Sequence, residues 1–385
     1  MKRIYLDNGA TSFPKPKEVA DAVYEYMTQI GMNINRGGYQ AAYDLEGIVF
    51  ETREMLSDIF GGSDCKNVVF TKNITESLNV ILKGFLEPGD HVLCSSMEHN
   101  AVMRPLVQLE KKGVEFDRIP ANTKGELALD AVESMIKPNT KAIVMTHASN
   151  LVGTLNPIAE VGAICHKNNI KFIVDSAQTA GVLPISMREM NIDALCFTGH
   201  KSLLGPQGIG GFILDEDMIN RIEPIISGGT GSISHTEEIP DFMPDRFEPG
   251  TMNLPGIVGL HAALKWIEQK GMDSIRSHEL SLTKRFIDGI TPLEEAGRLK
   301  IFGLRGIEGR VGVVSMQTCG VDCADAAFRL DSEYGIATRV GLHCAPAAHK
   351  SIGTFPTGTV RFSFGVFNTD AEVDAAIRAL TDICK

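Results

Sequence analysis

The sequence predicts an α/β protein in which a mostly parallel central sheet is covered by helices and followed by a smaller α+β domain. Short runs rich in valine and isoleucine alternate with longer amphipathic segments up to about residue 215, and this pattern changes after about residue 260. Such runs are typical of strands buried on both faces of a parallel sheet. Their alternation with helices indicates an α/β layer fold.

The predicted strands of the large sheet are the apolar runs Asn67–Thr71, His91–Ser95, Val114–Ile119, Lys141–Thr146, Ile170–Asp175, Ala194–Thr198 and Gly210–Leu214. Between them, Thr75–Leu86 carries apolar residues at helical spacing and is followed by the turn Pro88-Gly89-Asp90. A second helix is predicted at Ile158–Asn169. Each strand therefore leads towards a helix on a face of the sheet.

The remainder of the chain predicts a smaller unit. Its predicted elements are a helix at Gly256–Gln269, a strand at Gly309–Gln317, a helix at Cys323–Tyr334, a strand at Val360–Gly365 and a terminal helix at Asp370–Cys384. We therefore expect a large domain of residues 15–260. Residues 1–14 and 261–385 are expected to form the small domain.

Composition excludes several classes of protein. The net charge of −11 argues against nucleic-acid binding, because little of the surface would neutralise phosphates. No run approaches the roughly 20 apolar residues of a membrane helix, and no secretory signal is evident, so we expect a cytoplasmic protein without a membrane partner. The eight cysteines are scattered and lack the spacing of a disulfide framework or a zinc site. No metal site is predicted.

Polar residues follow five of the predicted strands, and in an open parallel sheet ligands bind beyond the carboxyl ends of the strands. They are Thr75, His99, Asn150, Asp175 with Gln178, and the group Thr198, His200 and Lys201. Taken singly, each has an ordinary explanation. Thr75 fits a helix N-cap, Asn150 fits a turn, and Lys201 fits a solvated loop.

Asp175 and Lys201 together indicate a cofactor. An aspartate at the end of a buried strand is costly unless a cation meets it, and a protonated pyridine nitrogen is such a cation. Lys201 follows the next strand and is flanked by glycines, as expected of a Schiff-base lysine. The two residues are 201 − 175 = 26 positions apart, one strand–helix–strand step. The set predicts a pyridoxal 5'-phosphate enzyme.

These residues resemble the class V aminotransferase group of fold-type I pyridoxal-phosphate enzymes, and within it the cysteine desulfurase and selenocysteine lyase family. The resemblance covers essentially the whole chain. Its most specific segments are Tyr5–Thr11, Asp175–Gln178, Thr198–Lys201 and Arg339–Ala345.

The resemblance implies a role for each cofactor residue. Lys201 would form the Schiff base and move protons, Asp175 would hold the pyridinium, and His99 would stack on the ring. Asn150 and Gln178 would address the ring oxygen. The phosphate would be held by Thr75, Thr198 and His200, and by Gly229, Thr230 and Thr251 of the other subunit. That sharing implies an obligate homodimer.

The resemblance also implies a small amino-acid substrate. Arg361 would clamp its carboxylate through two parallel hydrogen bonds, and Asn35, Arg36, Asn150 and Arg339 would line the substrate side. Ile74, Leu342 and Asn35 depart from residues common in relatives. These departures leave room for a different C–S or C–Se substrate, and the lysine, arginine and nucleophile serve sulfur and selenium alike.

Cys344 is the discriminating residue. We expect the cationic neighbours Arg339 and His343 to favour its thiolate, the form that attacks sulfur. The resemblance implies a persulfide on Cys344, release of alanine, and a sulfur-acceptor protein that docks near this loop. The alternatives are a β-lyase or aminotransferase in which Cys344 is incidental, and a cofactor-binding scaffold without turnover.

Overall fold

The computed structural model describes residues 3–34, 38–233 and 235–385. Its strands are β1 (Ile4–Tyr5), β2 (Val68–Thr71), β3 (His91–Ser95), β4 (Glu115–Ile119), β5 (Thr140–Thr146), β6 (Lys171–Asp175), β7 (Ala194–Thr198), β8 (Gly210–Leu214), β9 (Leu299–Phe302), β10 (Val313–Thr318), β11 (Ile336–Ala337), β12 (Arg339–Gly341) and β13 (Thr359–Ser363).

Its α-helices are α1 (Lys17–Glu25), α2 (Gln40–Phe60), α3 (Ile74–Phe85), α4 (Asn100–Glu110), α5 (Leu129–Ser134), α6 (Ile158–Lys167), α7 (Glu216–Ile219), α8 (Leu254–Lys270), α9 (Met272–Glu295), α10 (Cys323–Tyr334), α11 (Pro346–Ile352) and α12 (Asp370–Ile383). None of the helices among the described residues is long and apolar enough to cross a bilayer.

The central sheet confirms the predicted fold class. Its seven strands lie in the order β2-β8-β7-β6-β5-β3-β4, and β8 runs in the direction opposite to the other six. Strand β5 illustrates why the apolar runs form such a sheet. Ile143 and Met145 belong to one core, whereas Ala142 and Val144 belong to the other. Alternate side chains of a strand point to opposite faces, so a continuous apolar run serves two helical layers.

The second sheet has four antiparallel strands in the order β12-β13-β10-β9. Helices α9, α10 and α12 cover it, and the rings of Phe286 on α9 and Phe362 on β13 lie with centroids 4.6 Å apart. The sequence analysis did not predict α9 or β9. The domain division at residue 260 remains a proposal, and helix α8 continues across that position while packing in the core of the large sheet.

The N-terminal segment joins the two sheets. The Ser363 N–H on β13 donates to the Leu6 carbonyl at 2.8 Å, and the Ser12 N–H donates to the His200 carbonyl beyond β7 at 3.0 Å. One short segment therefore holds an end of β13 beside the carboxyl edge of the large sheet. This brings two distant parts of the sequence to one site.

Candidate active site

Four strand ends bring predicted site residues together. Adjacent strands β7, β6, β5 and β3 are parallel, so the residues that follow them lie side by side along one edge, at about 4.8 Å per strand. In that order they are Lys201, Asp175, Asn150 and His99. The edge therefore carries an acid, a lysine, an amide and an imidazole in a row.

Asp175 is the last residue of β6 and is 2% exposed. Its Oδ1 accepts a hydrogen bond from the Ala177 N–H at 2.9 Å. Burial raises the pKa of this carboxyl, and the charge of Lys201 opposes that rise. A carboxylate in this position is stabilised by a cation, which a protonated pyridine nitrogen supplies.

Lys201 lies beyond β7, where burial lowers its pKa to about 8. The Asp175 carboxylate raises that pKa, and the Arg361 and Arg339 charges lower it. A substantial fraction of the Lys201 amine is therefore neutral near pH 8. A neutral amine is the form that attacks a carbonyl carbon.

Thr198 and His200 are the side chains best suited to a phosphorylated ligand. The Thr198 Oγ1 and the His200 Nδ1 are buried and have no hydrogen-bond partner among the described residues. An unpaired buried polar group costs about 1–3 kcal/mol. Burial lowers the pKa of His200 to about 4, so the ring is neutral. With a proton on Nδ1, both groups are donors for a phosphate oxygen, and the site fits a phosphorylated cofactor.

Thr75 lies in the first turn of α3, where it is exposed. It is not the N-cap, because the Asn73 side chain accepts from the Glu76 N–H at 3.0 Å and caps the helix. The free N–H groups of a first turn favour an anion. Ile74 is buried in the core between α3 and the sheet. Its role is therefore in packing.

The predicted intersubunit residues lie on neighbouring loops. The Gly250 N–H donates to the Gly229 carbonyl at 2.8 Å, and the Thr230 and Ser232 hydroxyls are 3.0 Å apart. Thr251 is exposed. Their contribution to another subunit's site remains a prediction.

A buried ion pair that the sequence analysis missed anchors the loop before Thr251. Glu248 pairs with Arg53 at 2.6 Å and accepts from the Phe70 N–H at 2.6 Å. Both side chains are 7% exposed. Since Phe70 is on β2, this pair holds the loop against the strand that leads to α3. Helix α3 and the Thr251 loop are thereby held side by side.

His99 is the N-cap of α4, and its Nδ1 accepts from the Ala101 N–H at 3.0 Å. The ring proton must then be on Nε2. Burial and the Lys201 charge lower the pKa of His99 to about 4. The ring is therefore neutral and fixed in orientation, as its predicted stacking on a flat cofactor requires.

Asn150 links the sheet edge to the second sheet. Its Nδ2 donates to the His343 carbonyl at 2.8 Å, and its own carbonyl accepts from Arg361 Nη1 at 2.9 Å. Gln178 Nε2 donates to the Gly9 carbonyl at 3.1 Å. The two amides predicted to address the ring oxygen thus also hold the segments that close the site.

Arg361 is buried on β13 with 2% exposure. Its Nη2 donates to Asp7 Oδ1 at 2.7 Å, and its Nε has no partner among the described residues. Arg339, opposite Arg361 in the β12–β13 pairing, lies 3.7 Å from the other Asp7 oxygen. Two arginines thus share one carboxylate and leave a net positive charge. Asp7 was missed as a site residue, although it lies in one of the segments that carry the resemblance.

Cys344 is exposed on the loop between β12 and α11. Its carbonyl accepts from the Asn100 N–H at 2.8 Å, so the loop is tied to the first residue of α4. Both His343 and Cys344 have left-handed backbone conformations, with φ of 48° and 56°. The thiol is therefore presented to solvent by a loop whose backbone is held in place.

The prediction that His343 is a cationic neighbour of Cys344 is wrong. The ring is turned inward, where its Nε2 lies 2.9 Å from the Thr359 hydroxyl, and burial lowers its pKa far below the ordinary value. His343 is consequently neutral. Arg339 lies on β12, five residues before Cys344 in the sequence.

Two predicted substrate residues, Asn35 and Arg36, lie outside the described residues. Within the described ranges, no group of three or more histidine, cysteine, aspartate or glutamate side chains is arranged to hold a metal ion.

Comparison with known proteins gives a consistent result. The Aminotransferase class-V family model matches residues 4–376. A probable cysteine desulfurase of Halobacterium salinarum is 33% identical, with 98% of this chain and 91% of the relative covered. One of Pyrococcus abyssi is also 33% identical, with 99% and 94% covered.

Solved structures agree with this result. The apo cysteine desulfurase of Thermococcus onnurineus superposes with a TM-score of 0.91 at 32% identity, over 99% of this chain and 94% of that one. A cysteine desulfurase of Escherichia coli gives 0.87 at 28% identity, over 99% and 94%. The chain therefore belongs to the class-V aminotransferase family and is a homologue of its cysteine desulfurases.

Proposed function

We propose that this chain is a pyridoxal-phosphate-dependent cysteine desulfurase that moves the sulfur of L-cysteine onto Cys344 and releases L-alanine. One observation carries the proposal. The exposed Cys344 loop is tied through Asn100 and Asn150 to the same sheet edge at which Asp175 and Lys201 lie. Cofactor chemistry and a sulfur nucleophile therefore meet at one site.

The cofactor assignment is supported by what the residues lack. Thr198 Oγ1 and His200 Nδ1 have no hydrogen-bond acceptor among the described residues, and a cation would stabilise the buried Asp175 carboxylate. Lys201 would hold the cofactor carbonyl, and His99 would cover its ring. When bound, pyridoxal 5'-phosphate acts as an electron sink for the substrate Cα. The residues present fit that group.

The chain's own residues divide the remaining work. Arg361 binds the substrate carboxylate, and the positive charge it shares with Arg339 over Asp7 favours an anion there. Lys201, whose lowered pKa of about 8 keeps it near its titration point, moves the proton at the substrate Cα. His99, with its pKa lowered to about 4 and its Nδ1 accepting from the Ala101 N–H, is too weak a base to compete for that proton.

Cys344 performs the sulfur step. Its thiolate forms a bond to the substrate Sγ while the substrate Cβ–Sγ bond breaks. The electron pair of the broken bond stays with the carbon skeleton, which takes up protons and leaves as alanine. The sulfur remains on Cys344 as a persulfide.

The same proposal includes partners and location. An outward-facing Thr251 beside the Gly229 turn supports a homodimer that shares its sites. Exposure of Cys344 supports transfer of sulfur to an acceptor protein. All eight cysteines are unpaired, which supports a reducing compartment such as the cytoplasm.

The test compares Cys344→Ala with wild type and with Cys319→Ala, since Cys319 is also exposed. Alanine and sulfide are measured from L-cysteine with a thiol reductant, and cofactor content is read from visible absorbance. We expect all three proteins to bind cofactor and only Cys344→Ala to lose both products. Full activity in Cys344→Ala would contradict the proposal and favour a β-lyase or aminotransferase.

A further inference from the structure

A groove of about 570 Å³ lies beside the Cys344 loop. Helix α4 forms one wall and helix α11 the other, with Met103, Val107 and Pro346 giving it an apolar lining. Lys201, Asp175 and Arg361 do not line it. The groove is therefore separate from the proposed cofactor and substrate positions.

Three cations line the groove: Arg104 on α4, Arg118 on β4 and Lys350 on α11. All three are exposed, and none forms an ion pair with another described residue, although ion pairs are frequent elsewhere on the described surface. No aspartate or glutamate lines the groove. Arg118 and Lys350 instead lie over the rings of Phe116 and Phe355, at 5.0 and 5.1 Å from the ring centroids. In a chain of net charge −11, an apolar groove lined by three cations that no described carboxylate neutralises is a local reversal of charge.

The groove is continuous with the Cys344 loop on both walls. Helix α11 begins two residues after Cys344, and the Asn100 N–H at the start of α4 donates to the Cys344 carbonyl. A chain segment lying in the groove would therefore end beside the exposed thiol.

We propose that this groove binds an acidic segment of the protein that accepts sulfur from Cys344, and places the acceptor's thiol at the loop. The inference rests on the proposed desulfurase function. Complementary charge speeds association and fixes orientation, and the apolar lining gives the segment a surface to bury. The position beside a thiol selects a thiol-bearing protein over other anionic macromolecules.

The chemical step is an exchange without net oxidation. The acceptor thiolate forms a bond to the outer sulfur of the Cys344 persulfide, and the bond between that sulfur and Cys344 Sγ breaks. The electron pair of the broken bond returns to Sγ, which regenerates the Cys344 thiolate. No oxidant or reductant is consumed.

The test uses the cofactor-loaded enzyme and synthetic peptides. The probe is an acidic peptide of aspartate and glutamate with one central cysteine, and its control has lysine at every acidic position. Binding is measured by fluorescence anisotropy with serine in place of the cysteine, so this readout needs no turnover. Sulfur transfer is measured by mass spectrometry of the cysteine peptide after the enzyme has been loaded with L-cysteine.

The variants are matched in charge. Arg118→Glu with Lys350→Glu reverses two groove cations. Lys111→Glu with Lys112→Glu makes the same change just beyond the end of α4 and outside the groove. Arg104 is left unchanged because its charge also acts on His99. We expect the groove variant to bind the acidic peptide at least about tenfold more weakly, and the control variant to bind within about twofold of wild type.

Alanine release with a small thiol should be the same in both variants, which separates this inference from the proposed function. Equal weakening by the two variants, or equal transfer to the acidic and lysine peptides, would overturn the groove proposal while alanine release stands. Salt-sensitive self-association abolished only by the groove variant would also overturn it, because the occupant would be a second copy of this chain. Absence of alanine from wild type would overturn the proposed function.

Discussion

The two halves of the candidate site are built in opposite ways. The cofactor half lies at the ends of buried strands. Its Thr198 Oγ1 and His200 Nδ1 are buried without a hydrogen-bond partner among the described residues, and burial raises the pKa of its Asp175 carboxyl. The sulfur half is a loop whose backbone is tied down while its functional thiol is exposed. The polar groups of the cofactor half would gain their partners from a bound ligand, whereas the backbone of the sulfur half is already hydrogen-bonded within the protein.

This contrast teaches that cofactor binding and sulfur chemistry should be separable by mutation. Changes at the sheet edge should alter cofactor affinity and the energetics of the folded chain. Changes on the Cys344 loop should leave the cofactor in place.

Asp175→Asn should weaken cofactor binding by about tenfold to a hundredfold, since a charged hydrogen bond becomes a neutral one. The cofactor-free variant should be at least as stable as wild type at neutral pH. The raised pKa of Asp175 means that its ionised form costs folding free energy above the ordinary carboxyl pKa, and asparagine avoids that cost. Cofactor titration and thermal melts of the apo proteins measure both. A less stable apo variant with unchanged cofactor affinity would contradict the assignment of Asp175 to the cofactor half.

Arg361→Lys should raise KM for L-cysteine about tenfold with a smaller change in kcat, because lysine lacks the two parallel donors and the contact to the Asn150 carbonyl. Arg339→Lys is the matched control, since Arg339 is 46% exposed against 2% for Arg361. Steady-state kinetics should show a smaller effect for the control. Equal effects would mean that the buried arginine is not the principal carboxylate ligand.

The rate at which the apo protein captures cofactor should rise with pH and level off above about pH 8. The lowered pKa of Lys201 makes its amine neutral above that value, whereas below it the protonated amine cannot attack. Stopped-flow visible absorbance after mixing with pyridoxal 5'-phosphate measures the rate. A rate that is still rising steeply at pH 10 would indicate an ordinary, solvated lysine.

Cys344→Gly should be more stable than Cys344→Ala by about 1 kcal/mol, because glycine adopts the left-handed backbone without the Cβ clash. The order should invert at Cys319, where φ is not positive, since glycine there only adds unfolded-state freedom. Denaturant unfolding of the four variants measures both differences. Alanine more stable than glycine at Cys344, as at Cys319, would show that the loop is not strained.

The sequence predicted the buried half of the molecule well because buried strands have a strong local pattern. His91–Ser95, Ala194–Thr198 and Gly210–Leu214 have the predicted bounds. The prediction failed at α9, whose interior contains Gly289 and Pro292 and whose exposed face is polar. Glycine and proline are unfavourable inside a helix, so the sequence pattern did not indicate α9, which tertiary packing around Phe286 stabilises.

The site divides in the same way. The row of residues after successive strands was predictable because parallel strands end at one edge. The Asp7–Arg361 pair spans 354 positions, and the inward-turned His343 ring contacts Thr359, 16 positions away, so neither has a local sequence signal. The role of Asn73 as the N-cap of α3 was predictable, because an asparagine followed by a glutamate three residues later, here Glu76, is a pattern typical of a helix start.

The most direct test of the account is the fate of Cys344 after one turnover. The cofactor-loaded enzyme is mixed with one equivalent of L-cysteine without reductant and digested with trypsin. Cleavage after Arg339 and Lys350 gives a peptide, residues 340–350, in which Cys344 is the only cysteine. We predict that this peptide gains one sulfur atom in proportion to the alanine formed. Alanine formation with an unmodified peptide would contradict the assignment of Cys344 as the sulfur nucleophile.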